Sequence, residues 1–406
     1  MADKVIVCQI GARHRYLIPQ VLFRSGMLCK LYTDSTNKSF LGRVASGLSK
    51  FGVKSAAIQR LVRRVPNLPD SFLNTSDVLT YKQWMMRMMG GSKYDLIELP
   101  YRGIADKCRQ WGTEGADCVY GMYFENFEFL KYAKSQGLKV VVDIYERPMT
   151  YKLISDEIRQ NTEYSVFKDM IESNEIKHAI RMKYIENLLA LADHYTVPSK
   201  YVIESLKTFS NFDINKVHLQ PYASSITTKE YQYNPHKHRV LFVGSDPVIK
   251  GLLYCAKAAS ILKAKYPDLD FRIAGGGPDI EKIKQHDSFR DLHFIGFLNK
   301  SDLEKEYREA EVFVFPTLFE GFAGSIIEAA SCGCPIVTTR NAGGDPDEFP
   351  AIFIREKNVE DIVVAVSKVF DNNLYRDTLS KTAYTYSSVF SPQKYTESLV
   401  SFLKTV

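Results

Sequence analysis

The chain has 406 residues, 45% of them apolar and 25% charged, with a formal net charge of +6. That is the balance of a globular protein rather than a disordered or fibrous one. No apolar run approaches the roughly 18–20 residues that span a bilayer, and two domains of roughly 150–200 residues suit the length better than one core. The start, Met1-Ala-Asp-Lys-Val-Ile-Val, lacks the basic-then-apolar order of a secretory signal and reads as a first strand. Seven scattered cysteines, with one Cys-x-Cys (Cys332, Cys334) and no Cys-x-x-Cys, suggest neither a disulfide framework nor a zinc site. A cytoplasmic protein is expected.

Taken in order, the chain alternates strand and helix twice over, the pattern of doubly wound parallel sheets. Lys4–Ile10 reads as an apolar strand ending at Gly11, Tyr16–Ser25 as an amphipathic helix stopped by Gly26, and Lys30–Thr33 as a second strand. Further strands are expected at Tyr94–Glu98, Cys118–Gly121, Lys139–Ile144, His194–Val197 and Val217–Gln220, with a long helix around Glu172–Ala192. Residues 223–238 are polar and aperiodic and read as a linker. After it come strands at Arg239–Gly244, Phe271–Ala274, Leu292–Gly296, Val312–Pro316 and Pro335–Thr339, with helices at Gly251–Lys265, Ser301–Ala310 and Gly324–Cys332. The division is therefore a first Rossmann-like domain over 1–222, a second over 239–385, and a closing helix within 386–406 that packs back towards the first. Two such halves imply a cleft between them, where a ligand would bind.

Charge is unevenly spread. From Leu41 to Arg64 there are six basic residues (Arg43, Lys50, Lys54, Arg60, Arg63, Arg64) and no acidic one, interleaved with Leu41, Val44, Leu48, Phe51, Val53, Ile58, Leu61 and Val62. Such a stretch suits an anionic membrane surface; a solvated helical face is the plainer alternative. No reading module for nucleic acid accompanies the charge, so nucleic acid is not an expected partner. The run Trp84-Met-Met-Arg-Met-Met89 reads as core packing. Gly275-Gly-Gly277 lacks the spacing of a dinucleotide site.

The most informative segment is Val312–Thr339, VFVFPTLFEGFAGSIIEAASCGCPIVTT. A buried strand enters a glycine-containing turn and then a short helix, so backbone N–H groups and the helix N-terminus can approach an anion. Glu320 and Glu328, eight residues apart, flank the turn and can border one ligand as acceptors for hydroxyl groups. An ordinary strand–turn–helix with solvated glutamates fits the spacing as well.

The same residues resemble the signature E-G-F-G-x-x-x-x-E-A-x-x-C/A-G-x-P-V/I-V of family-four retaining glycosyltransferases, which have the two-domain GT-B fold. Glu320, Gly321, Phe322, Glu328, Ala329, Cys332, Gly333, Pro335, Ile336 and Val337 match it. Val243-Gly244 with Lys250-Gly251 resembles the family's phosphate-side loop, Ile273–Pro278 its I-x-G-x-G-P turn and Phe294-Ile-Gly296 its F-x-G strand end. Weaker matches lie at Ala192-Asp193, Val197-Pro198-Ser199, Lys216-Val217 and Gln220-Pro221.

The resemblance implies a fold of two Rossmann-like domains facing across a cleft, the first binding an acceptor and the second a nucleotide-diphosphate sugar. Glu328 would accept from the donor ribose, Glu320 would face the transferred sugar, and the amides of Gly321, Phe322, Ala323 and Gly324 would meet sugar and diphosphate. Lys250, beside Gly244 and Ser245, would offset charge on the leaving diphosphate. The base would rest near Gly296, Phe297 and Leu298. On the acceptor side stand Gly11, Arg13 and His14 at the end of the first strand, with Asp143 as the preferred catalytic-site acid and Glu146 second. A surface position for His14 and a capping role for Asp143 stay open.

Three departures from the pattern stand out. Ser245-Asp246 replaces the usual arginine after the V-G motif, so a second phosphate cation is missing unless Arg340 or Arg13 supplies it. Ala323 replaces the third small residue of the turn, without glycine's freedom at positive φ. Pro221-Tyr-Ala-Ser-Ser replaces the family's P-x-G-V/I-D.

No metal or other cofactor is expected, since Asp345-Pro-Asp347 has an Asp-x-Asp spacing but lies past the Gly343-Gly344 turn. The implied activity is front-face transfer to a growing glycan or lipid-linked glycan in cell-surface polysaccharide synthesis, such as lipopolysaccharide or exopolysaccharide. The enzyme would be cytoplasmic or peripheral at the inner face of the plasma membrane. The alternatives are a nucleotide-sugar epimerase of the same shape and a degenerate transferase kept as a binding subunit.

Overall fold

The computed structural model describes residues 2–53, 55–228 and 230–406. Met1 and Lys54, which figure in the first strand and the basic stretch above, lie outside the described residues. The strands form two sheets in which every pairing is parallel. The first contains β1 (Val5–Gln9), β2 (Leu28–Thr33), β3 (Leu73–Thr75), β4 (Cys118–Met122), β5 (Lys139–Asp143), β6 (His194–Val197) and β7 (Val217–Leu219), in the order 3-2-1-4-5-6-7. The second contains β8 (Arg239–Val243), β9 (Asp270–Ala274), β10 (His293–Gly296), β11 (Val312–Phe315), β12 (Ile336–Thr339) and β13 (Ile352–Ile354), in the order 10-9-8-11-12-13. The protein is α/β, with two doubly wound Rossmann-like domains. In each, strand order reverses beside the first strand, at β1/β4 and at β8/β11, which opens a crevice at the carboxyl ends where ligands bind.

The central strands are apolar from end to end because helices cover both faces of a parallel sheet. Val5, Ile6, Val7 and Cys8 are buried, as are Val312, Phe313, Val314 and Phe315. The helix Leu252–Lys265 covers the second sheet with Leu252, Leu253, Cys255, Ala256 and Ala259. It begins at Gly251 with φ of 70°, where a Cβ would stand 2.2 Å from the Pro316 carbonyl oxygen, so both backbone angle and space demand glycine.

Each domain holds a piece of chain from the other. Ile154, Ile158, Tyr164 and Phe167 lie between β5 and β6 in sequence yet join the core of the second domain. Tyr164 donates from its hydroxyl to the Pro247 carbonyl (2.9 Å) and accepts from the Leu253 amide (3.1 Å). In the other direction, Tyr395, Leu399 and Leu403 of the last helix, Pro392–Leu403, pack with Val5, Val7, Tyr120 and Val141 beneath the first sheet.

Two expectations are corrected. Tyr94–Glu98 is not a strand but part of the helix Lys93–Arg102. The Ser92 hydroxyl caps it by accepting from the Asp95 amide (3.1 Å), a start signal that outweighs the short apolar run. Trp84–Met89 is mostly surface rather than core: Trp84 is 55%, Met88 69% and Met89 77% exposed, on the helix Val78–Met88 and its end, and Met86 alone of the run is packed against the first domain's core among the described residues. The basic stretch forms two short helices, Phe40–Lys50 and Ala56–Val62, and Arg64 leaves that surface to pair with Asp34 (2.7 Å). Among the described residues no helix is long and apolar enough to cross a membrane.

Candidate active site between the domains

The loop after β11 leads through Glu320, Gly321, Phe322 and Ala323 into the helix Gly324–Ser331. It is seated against the first domain. The Ser199 hydroxyl donates to the Gly321 carbonyl (2.5 Å), and a Cβ on Gly321 would stand 1.8 Å from the Tyr145 carbonyl oxygen. Only glycine lets the two backbones meet this closely. Ala323 has φ of −77° and ψ of 113°, angles open to any L residue, so its replacement of glycine does not disturb the turn. Its amide donates to the Ala342 carbonyl (2.8 Å); of the four amides expected to meet a donor, this one is already used. In the first turn of the following helix the Ile326 amide donates to the Ala323 carbonyl (3.3 Å), and the amides of Gly324 and Ser325 before it have no intrahelical acceptor.

Glu320 is ion-paired with Lys250, whose ammonium also lies 5.3 Å from the centre of the Phe315 ring. Burial pulls Lys250 down from its ordinary range to about 8, against the opposing attraction of Asp246. Burial in turn pushes the Asp246 carboxyl up, although it accepts from the Val248 and Ile249 amides. Ser245 is exposed. The Gly244 amide donates to the Ala274 carbonyl (2.9 Å). Of the two candidates for a second cation, Arg13 is paired with Glu125 (2.9 Å). Arg340 lines a separate hollow with Tyr201 and Arg355.

Glu328 is half-buried, accepting from the Ser225 hydroxyl (2.5 Å) and from the Tyr307 hydroxyl (3.3 Å). The Gly296 carbonyl accepts from the Gly275 amide (2.9 Å). Phe297 is 80% exposed beside Gly276, and Leu298 is half-buried.

On the first-domain side, Gly11 has φ of 69° and its amide donates to Asp34 (2.7 Å), which also accepts from Arg64 (2.7 Å). His14, Arg15 and Tyr16 follow with φ of 46°, 52° and 61°. Three consecutive left-handed residues other than glycine cost roughly 1–2 kcal/mol each, and such conformations cluster at functional sites. The turn brings His14 Nε2 to 3.3 Å from Asp143 Oδ2, without the alignment of a hydrogen bond. The Asp143 carboxylate accepts from Thr196 (3.1 Å) and is almost fully buried. His14 packs 4.8 Å from the Tyr222 ring. Together with Tyr222, Ser225, Gly324, Glu328 and Tyr395 it lines a cleft of about 370 Å³. His14 and Asp143 are therefore brought together, and His14 faces the second domain rather than open solvent. Glu146 instead turns to Arg181, to which it is ion-paired. Ser199 falls in the weaker Val197-Pro198-Ser199 match, which assigns it no role, while Tyr145 and Arg181 join the site without a local signal: a loop carbonyl and a mid-helix arginine.

Among known proteins, the family model described as glycosyl transferases, group 1, matches residues 237–372. The match lies in the second domain, whose sequence is similar to that family. Over 110 residues the chain is 34% identical to a component of human phosphatidylinositol N-acetylglucosaminyltransferase, a match that covers 26% of this chain and 22% of that protein. Over 151 residues it is 32% identical to 2-deoxystreptamine N-acetyl-D-glucosaminyltransferase of Niallia circulans, covering 35% and 39%. The chain thus spans less than half the length of these relatives. Among solved structures, TarM of S. aureus, crystallised with UDP, covers 99% of both chains at a TM-score of 0.63 and 11% identity. WaaG, a glycosyltransferase of lipopolysaccharide biosynthesis, covers 97% of this chain and 98% of its own at a TM-score of 0.60 and 14% identity. The fold is GT-B.

The Tyr145–Gly321 contact makes a paired test. Gly321→Ala is expected to lower the melting temperature, because its methyl meets a carbonyl oxygen at 1.8 Å, while Gly324→Ala, with nothing within 4 Å, is expected to leave it unchanged. Equal melting temperatures for the two variants would show that the turn is not seated against the first domain.

Proposed function

We propose that the protein is a retaining glycosyltransferase that moves a sugar from a nucleotide-diphosphate donor to a glycan or lipid-linked glycan acceptor. The observation that carries this reading is the pair Lys250–Glu320, beside the Gly321 turn, set across the Tyr145 contact from His14 and Asp143. A partly buried cation next to a helix N-terminus suits a diphosphate, and the carboxylate beside it suits a sugar hydroxyl.

In this reading the bond between sugar C1 and the diphosphate oxygen breaks while the acceptor oxygen bonds C1 on the same face. The acceptor proton passes to the departing phosphate oxygen. Lys250 and the helix-opening amides offset the charge that develops there, a preorganised stabilisation that side chains supply without a metal. Glu328 exchanges its present donors, Ser225 and Tyr307, for the ribose hydroxyls. The base rests against Gly296, Phe297 and Leu298. Asp143 holds His14 towards the acceptor.

A panel of nucleotide sugars and free nucleotides followed by melting temperature tests the assignment: one donor and its free nucleotide should both stabilise the protein. A flat response across the panel would sink it. Glu320→Gln is expected to bind the nucleotide and keep the fold while losing transfer; full turnover by that variant would remove Glu320 from the site.

The charged form of Lys250 is the one that meets a diphosphate, and it is the form present below its pKa. Since that value is about 8 in the free protein, kcat/KM for the donor is expected to fall as pH rises through about 8. Lys250→Met should lack that limb of the profile. An identical alkaline fall in the variant would assign the titration to another group.

A lipid-linked acceptor is supported by the first domain's outer helices. Phe40 (75% exposed), Phe51 (89%) and Met88 (69%) stand out among exposed Arg43, Lys50, Arg60, Lys82 and Arg87. The starts of two of these helices are tied together at Asp77, which accepts from Ser39 (2.7 Å) and from the Leu41 amide (3.0 Å). Apolar tips ringed by cations fit an anionic bilayer surface. The protein should sediment with phosphatidylglycerol vesicles and not with phosphatidylcholine vesicles, and a Phe40→Ser, Phe51→Ser double variant should lose that binding. Equal recovery with both vesicle types would remove the membrane from the reading.

A further inference from the structure

A second pocket, of about 360 Å³, opens in the first domain on the other side of Tyr145 from the cleft. Its wall is aromatic: Tyr101, Tyr123, Phe124, Tyr145 and Tyr151 line it. Its charges do not balance. Arg13, Lys177 and Arg181 line it as cations, against the carboxylates of Glu125 and Glu146.

Both carboxylates are already taken. Glu125 accepts from Arg13 (2.9 Å) and from the Ile10 amide (2.6 Å), while Glu146 is ion-paired with Arg181. Among the described residues Lys177 has no carboxylate within ion-pair distance; its ammonium rests 4.7 Å from the centre of the Tyr151 ring. Burial and then the neighbouring Arg181 pull the Lys177 ammonium down from its ordinary range.

The decisive feature is Arg181. Its side chain is 4% exposed, yet among the described residues Nε and Nη1 have no hydrogen-bond partner, and neither has the hydroxyl of Tyr123 beside it. Native proteins rarely bury polar groups unpaired, and leaving a charged donor unpaired costs more than leaving a neutral one. The guanidinium is nevertheless held, over Tyr151 at 4.2 Å and Phe124 at 5.5 Å. Its Nη2 is held by Glu146, which leaves Nε and Nη1 to donate charge-assisted hydrogen bonds to phosphate or carboxylate oxygens.

We infer that this pocket binds an acceptor sugar carrying a phosphate or carboxylate group, with the anion on Arg181 and Lys177 and the ring's apolar face against the tyrosines. The inference rests on the glycosyl-transfer reading for the word acceptor, but not for the binding itself. Tyr145 links the two spaces: its ring lines this pocket and lies 6.4 Å from that of His14, while its carbonyl meets Gly321. An acceptor anchored here would reach past Tyr145 towards the donor turn.

Calorimetric titration of the full chain with glucose 6-phosphate, glucuronate and glucose, each with and without UDP, tests the inference. At least one charged sugar should bind while glucose binds at least about tenfold more weakly, the loss expected when charge-assisted hydrogen bonds are missing. The two charged sugars tell phosphate from carboxylate. Lys177→Ala should weaken the charged sugar by about tenfold and leave UDP affinity unchanged. Arg181→Gln should weaken it further, with melting temperature as the check on its fold. Absent binding, equal binding of charged and neutral sugars, or an unaltered Lys177→Ala would overturn the proposal. UDP binding in those cases would leave the transferase reading standing. Charged-sugar binding without response to any nucleotide would do the reverse.

Discussion

The site depends on one close approach: the Tyr145 carbonyl of the first domain against the bare Cα of Gly321 in the second. Neither half-site is complete without it. Glu320 and Lys250 belong to loops after β11 and β8, His14 and Asp143 to the ends of β1 and β5. The hydrogen bond from Ser199 to the Gly321 carbonyl fixes the depth of the contact, and the one from Tyr222 to the Tyr145 carbonyl (3.2 Å) uses that oxygen's other side. A side chain at residue 321 would put its Cβ 1.8 Å from the Tyr145 oxygen, so the two backbones would have to move apart to accommodate it.

Such a contact needs a rigid frame, and the exchange of segments between domains provides it. Ile154, Ile158, Tyr164 and Phe167 leave the first domain's sequence to enter the second domain's core. Burying each such side chain contributes about 1.5–3 kcal/mol. The buried Glu157 adds polar ties, accepting from Tyr254 (2.6 Å) and pairing with Lys357 (2.6 Å). The final helix makes the reciprocal exchange through Leu399 and Leu403. Interfaces of this apolar kind resist relative motion more than the polar interfaces usual between domains. The width of the cleft is therefore set largely by packing remote from it.

What could be read from the sequence follows from what each element buries. Strands such as Val5–Gln9 and Val312–Phe315 are covered on both faces, so their apolar runs stand out. β3 and β13, of three residues each and only half-buried, leave no such trace. Tyr94–Glu98 misleads because its helix places Glu98 in the interior, where Arg102, Lys183 and Tyr184 satisfy it. A charge that looks solvated in the sequence is a buried hub in the fold. Trp84–Met89 misleads in the opposite sense, with Trp84, Met88 and Met89 facing outward and Met86 turned to the core. The donor turn is legible because its glycines and glutamates are close in sequence. Arg181 is not, because the groups that make it a site arrive from residues 13, 123–125, 145–146 and 151.

Charge compensation separates the two spaces around Tyr145. In the donor loop every charge has an opposite beside it: Lys250 has Glu320 and Asp246, and Asp246 has two amides. On the transferase reading we propose, an incoming diphosphate would displace Glu320 from Lys250, and the sugar hydroxyls that then occupy Glu320 would offset the loss. Binding a nucleotide alone forfeits that exchange, so the loop favours the whole donor over its fragment. In the pocket beyond Tyr145 the excess charge is unpaired and nothing has to be displaced from Lys177. An anion bound there, as proposed, would share Arg181 with Glu146 but meet Lys177 without a competing carboxylate, and the low local dielectric would make each hydrogen bond stronger than in water. On the proposed reading, the Lys250–Glu320 loop would recognise a combination of groups, and the pocket beyond Tyr145 the anion that complements its one surplus cation.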